Sequence, residues 1–150
     1  MIFNIVDGDT EVFASLVLKA KDKSAACVAV NWWKWCGTDC QASWESALRL
    51  ASNDTTFLWY IGVTDTPFER MMGDPTKTNV KPHKHRYNCL YPLLIIRDAA
   101  ELEKRWIADL TSHLGWSRRG NVGPGGEHVL AGAVKFVYIC IRWQKGDDIV

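Results

Sequence analysis

A tyrosine, a glycine and an arginine stand close together in TTFLWYIGVTDTPFER, residues 55–70, and the first two fall inside what reads as a buried strand. Strand alternation sends Phe57, Trp59, Ile61 and Val63 to one face, expected to be core. Leu58, Tyr60, Gly62 and Thr64 share the other, so the Tyr60 phenol stands beside bare backbone, where a ligand or another chain segment could approach closely. A sheet-margin tyrosine next to a bulge accounts for the same pattern without chemistry. Further along, Ala99, Glu103, Ile107, Leu110 and Leu114 lie on one helical stripe that Glu103 interrupts. A carboxylate among core positions is costly alone, so Glu103 should meet a cation: arginine, lysine or a metal ion. Glu101 faces elsewhere and is expected to pair with Arg105 at i, i+4.

Residues 75–97 carry no acid but hold Lys77, Lys81, Lys84, Arg86 and Arg97, with His83 and His85 between them. On a chain of net charge +1 this is a locally basic surface suited to a phosphate-bearing ligand, or simply a solvated loop. The 5 cysteines, Cys27, Cys36, Cys40, Cys89 and Cys140, are an odd count that fits reduced thiols better than a disulfide framework. A zinc module built from Cys36 and Cys40 with His83, His85 and Cys89 is a weaker reading, because the first pair straddles a helix terminus and Gly37. GNVGPGG lacks the lysine and hydroxyl residue of a phosphate-cradling P-loop.

The elements that must position these groups are marked by caps and periodicity. One helix follows Ser24 and stops at Gly37; a second begins at Thr38 and runs to Asn53; a third is capped by Asp98, has Glu101 three residues later and closes at Gly115. A short helical turn starts at Pro67, with Thr66 able to cap it. Strands are expected at 12–19, a segment also readable as a helix, and at 56–64, 90–97 and 134–143, all rich in β-branched and aromatic residues. Of the 8 tryptophans, Trp32, Trp33, Trp35 and Trp44 cluster on the two early helices, where packing explains them more cheaply than base stacking. With 47% apolar and 23% charged residues in 150, the composite is a single small α+β domain, a mixed or antiparallel sheet of about three to five strands flanked by helices. No stretch approaches the ~18 apolar residues of a membrane span, and the N-terminus lacks a signal-peptide progression, so an intracellular protein, cytoplasmic or nuclear, is expected.

Taken together, WYIG at 59–62, Arg70 eight residues past the glycine, LEKRWI at 102–107 after an apolar strand, and Asn121 followed by GPGG resemble the GIY-YIG nuclease superfamily over about residues 55–126 and the strand beyond. The resemblance implies a core at about 55–143 carrying an N-terminal strand and two-helix extension at 1–54. It implies that Tyr60 and Gly62 match the second signature, Arg70 the arginine that steadies the phosphate, Glu103 the metal-binding glutamate and Asn121 the late asparagine, which would hold the architecture. The implied activity is endonucleolytic hydrolysis of phosphodiester bonds, with Mg²⁺ or Mn²⁺ on Glu103 and a nucleic acid, DNA foremost, as partner. Lys77, Lys81, Lys84, Arg86, Arg118 and Arg119 would grip its backbone without reading sequence. The first signature, glycine-isoleucine-tyrosine on a strand about ten residues earlier, has no counterpart in SALRLASNDTTFLW, and neither VFASLVLK nor MIFNIV contains a tyrosine. His83 or His85, each expected to titrate near neutral pH, could replace it as general base, with His85 taken into the catalytic set. Without such a base, the same fold would serve as an inactive nucleic-acid- or protein-binding module.

Overall fold

Asp39 opens the first helix described here: its carboxylate accepts the amide hydrogens of Gln41 and Ala42 at 2.9 and 3.1 Å. The structure, a computed structural model, describes residues 39–73, 76, 81–97, 99–126 and 134–143; the helix after Ser24, the strand at 12–19, Asp98 and Lys77 lie outside them. Helix α1 is Cys40–Ser52, so Asp39 provides the cap where the sequence pointed to Thr38. It is followed by β1 (Thr56–Thr64), α2 (Pro67–Met72), a 3-10 turn (His83–His85), β2 (Cys89–Arg97), α3 (Ala99–Leu114) and β3 (Val134–Trp143).

The three strands described form one antiparallel sheet in the order β1-β3-β2, which makes the last strand the central one. Covered on both faces, β2 is buried along nearly its whole length and reads as an unbroken apolar run. Pro92 falls where the pairing with β3 is irregular, its register shifting between Pro92 and Leu94, and such an irregularity tolerates a residue with no amide hydrogen. On one face, Ala47 and Ala51 of α1 and Leu102, Trp106 and Leu110 of α3 pack against Trp59, Ile61, Ile139 and Ile141. Trp44 joins them with its ring 6.0 Å from that of Trp106, the packing role expected of it. Phe57 departs from its expected core position and is 48% exposed, because a bulge between Thr56 and Leu58 breaks the alternation there. Arg142 lies over its ring instead, 5.6 Å from the centroid.

Smaller expectations also shift. Pro67 does begin α2, but the Thr66 side chain makes no capping bond; its amide donates to Thr64 Oγ1 at 3.0 Å. Arg105 faces Asp109 at 3.6 Å on the surface of α3, rather than the Glu101 partner expected. Among the described residues no helix is long and apolar enough to cross a membrane.

As an edge strand, β1 would expose unpaired backbone groups, and the chain after α3 covers them. The Trp59 amide donates to Arg118 O at 2.9 Å and the Gly120 amide to Trp59 O at 2.7 Å. Two residues along β1, the Asn121 side chain takes over: Oδ1 accepts the Ile61 amide and Nδ2 donates to Ile61 O, both at 2.9 Å. A carboxamide thus substitutes for one more residue of strand along this edge.

Candidate active site

The edge of β1 also forms one wall of a cavity of about 490 Å³, to which Tyr60, Arg70, Arg86, Glu103, Asn121 and Tyr138 contribute. Their elements are different: Tyr60 comes from β1, Arg70 from α2, Glu103 from α3 and Tyr138 from β3. Register makes Tyr138 the cross-strand partner of Gly62, so its ring shares a face with Tyr60. A Cβ on Gly62 would overlap that ring. The close approach that Gly62 permits is therefore that of another side chain, and it delivers the Tyr138 hydroxyl into the site.

Around the two phenols, Tyr60 lies 4.8 Å from His83, 5.9 Å from Tyr87 and 6.3 Å from Tyr138, centroid to centroid. The Tyr138 hydroxyl and His83 Nε2 are hydrogen-bonded at 2.7 Å. Arg70 stands within hydrogen-bonding reach of both Tyr60 and Tyr138. The Arg70 guanidinium bears on the ionisation of both phenols, and the donor in the Tyr138–His83 bond is set by the imidazole tautomer.

The charges follow from burial. Burial raises the Tyr138 phenol well above its ordinary range, and raises Tyr60 as well, there opposed by Arg70 and assisted by Glu103. Burial works against the charge of Arg70, but the phenols of Tyr138 and Tyr60 outweigh it and hold the guanidinium protonated. Burial, then Arg70 and Arg86, push His83 down to about 3. His83 is consequently a neutral acceptor at physiological pH, not the near-neutral base expected from sequence. His85 lies exposed on the 3-10 turn and is not among the residues lining the cavity.

Glu103 is half-buried, and its Oε1 accepts the Gly126 amide at 2.7 Å. Gly125 and Gly126 both have left-handed backbone, φ +82° and +79°, and a Cβ on Gly125 would come 2.7 Å from Glu103 Oε1. The glycine-rich turn is thus shaped to bring an amide onto this carboxylate. Among the described residues no group of three or more His, Cys, Asp and Glu could hold a metal ion. Of the zinc reading, Cys36 lies outside the described residues, Cys89 is buried in β2, and His83 is bonded through Nε2 to Tyr138.

The basic residues divide. Arg86 is exposed and lines the cavity; Lys81 is exposed, Lys84 and Arg118 are half-buried, and Lys77 is not described. Arg119 is placed differently from the expectation of a backbone grip. Its Nε donates to Asn121 O at 3.0 Å and its two terminal nitrogens to Thr111 Oγ1 at 3.2 Å and Gly123 O at 2.8 Å, which staples the loop to α3. Tyr138 is the site residue that sequence reasoning missed: its strand was recognised, but nothing local says which strand it pairs with. No protein-family model, curated protein or solved structure matches this chain.

Proposed function

We propose that this protein is a GIY-YIG-like, divalent-metal-dependent endonuclease that hydrolyses nucleic-acid phosphodiester bonds. The observation that carries the reading is the convergence of Glu103, Arg70, Tyr60 and Tyr138, from four different elements, on one cavity. Tyr138 supplies a phenol on the strand paired with the Tyr60 strand, the position for which no tyrosine precedes Tyr60 in the chain.

Each group has a role its chemistry permits. Glu103 offers a hard oxygen ligand, and a Mg²⁺-type ion is commonly held by one carboxylate with waters and substrate phosphate completing its shell, so the residues present fit such an ion. When bound, the ion supplies charge stabilisation at the phosphate. Arg70 presents a planar, permanently charged fork for the non-bridging oxygens. The Tyr138 oxygen, bonded to His83 and lining the cavity, is placed to share a hydrogen bond with a water that enters it. Tyr60 borders the same space and orients that water. Arg86 holds the flanking backbone.

Nicking of supercoiled plasmid in Mg²⁺ tests the reading, with Arg70→Ala and Glu103→Gln as variants. Each is expected to lose on the order of 10²-fold or more, the scale seen when a preorganised charge-stabilising group is removed. Nicking retained by both variants would defeat the proposal. The low pKa of His83 favours one second reading, an inactive nucleic-acid- or protein-binding module of the same fold. Its nucleic-acid form predicts salt-sensitive DNA binding by a wild type that never cuts.

A further inference from the structure

Trp59 and Trp106 are buried at 0% and 4% exposure, whereas Trp116 is 66% exposed. It sits in the turn that leaves α3, just before the segment that covers the edge of β1. The Arg119 guanidinium lies 3.9 Å from its ring centroid, a close cation–π stack. That guanidinium is held by Asn121 O, Thr111 Oγ1 and Gly123 O. Asn121 and Gly123 line the cavity. One indole face is therefore backed by a fixed cation one residue from the cavity wall, while most of the ring is open to solvent. Between those two lining residues, Val122 is 95% exposed and lines the same cavity.

We propose that Trp116 is a stacking platform for an unpaired nucleobase beside the cavity, so that the nucleic acid taken here is single-stranded or locally unpaired next to the bound phosphate. The inference rests on the reading of the cavity as a phosphodiester site and narrows its substrate class. Stacking on an indole requires a base with a free face, which a fully paired duplex does not offer except at its ends. The pinned Arg119 keeps the ring in place before the ligand arrives, which lowers the ordering cost of binding. Val122 adds an apolar tip of the kind that presses against or between base steps. An exposed tryptophan also suits a protein interface. Nucleic acid is favoured by the cationic surroundings, Arg118 two residues away and Arg86 on the cavity rim, which complement a phosphate chain.

Binding of labelled oligonucleotides measured without divalent metal tests this independently of cleavage. The substrates are a single strand and a blunt hairpin duplex of equal length, and the proteins are wild type, Trp116→Ala and Trp116→Phe, each checked for an unchanged circular dichroism spectrum. Trp116→Ala is expected to weaken single-strand binding about 5- to 150-fold, the range of base–aromatic stacking, and to leave duplex binding unchanged, with Trp116→Phe retaining most of the affinity. Undiminished single-strand binding by Trp116→Ala, or equal losses on both substrates, would overturn the inference and leave the nuclease reading standing. A wild type that binds neither substrate would overturn both.

Discussion

Gly62 and Tyr138 are one feature seen from two strands. The glycine is small because the phenol crosses over it, and the phenol reaches His83 and Arg70 because the glycine is small. Gly62→Ala should therefore cost about 1–3 kcal/mol by overpacking, read from urea unfolding, and displace the hydroxyl from His83. Tyr138→Phe separates the two roles. It keeps the ring in place, so its stability cost should be only about 1 kcal/mol for the bond lost to His83, whereas nicking should fall about 10²-fold if the hydroxyl orients the water. Matching losses in stability and rate would instead make Tyr138 a packing residue. Tyr60, Gly62 and Glu103 were all visible in the sequence as breaks in an apolar pattern. Tyr138 was not, since a tyrosine in a β-rich run breaks no pattern.

At the scale of elements, the decisive arrangement is how the chain leaving α3 seals β1. Arg118, Gly120 and the Asn121 carboxamide satisfy the outward groups of Trp59 and Ile61, and Arg119 fastens the same loop to Thr111. Asn121→Ala would leave a buried amide and carbonyl of Ile61 without partners, and should destabilise the fold by about 2–4 kcal/mol. Faster hydrogen exchange at the Ile61 amide would localise that loss, and an unchanged exchange rate would refute the assignment. Arg119→Lys should not substitute for arginine, because a single ammonium cannot span three acceptors and also stack on Trp116. Helix and strand limits were mostly readable, since a left-handed Gly115 and β-branched runs are local signals, although the cap of α1 falls on Asp39 and not on Thr38. The bulge that expels Phe57 was not, because it depends on the partner strand.

For the whole molecule, the buried aromatic layer makes stability depend on acid. His83 is packed against Tyr60, Tyr87 and Tyr138 and faces Arg70 and Arg86. Its pKa is depressed to about 3 in the folded chain from an ordinary 6.5, so the unfolded chain binds the extra proton. The contribution is full above pH ~6.5 and is lost as pH falls towards 3, by about 1.4 kcal/mol per unit. Urea titrations at several pH values should show this slope, and His83→Gln should flatten it. Tyr138 acts in the opposite sense: its raised pKa gives stability that is fully present below pH ~10 and declines as pH rises further.

The sequence by itself determined the α+β class, the apolar strands, the helix ends and the identity of most groups with chemistry to offer, because hydrophobic period, caps and a misplaced charge act within a few residues of chain. Only the tertiary structure decided that the last strand lies at the centre of the sheet, beside the one bearing Tyr60, and so brought Tyr138 and His83 to Arg70. Strand pairing is set by packing across the whole core, and burial, which made His83 a neutral acceptor and bound Arg119 to its own loop, exists only once that packing is complete.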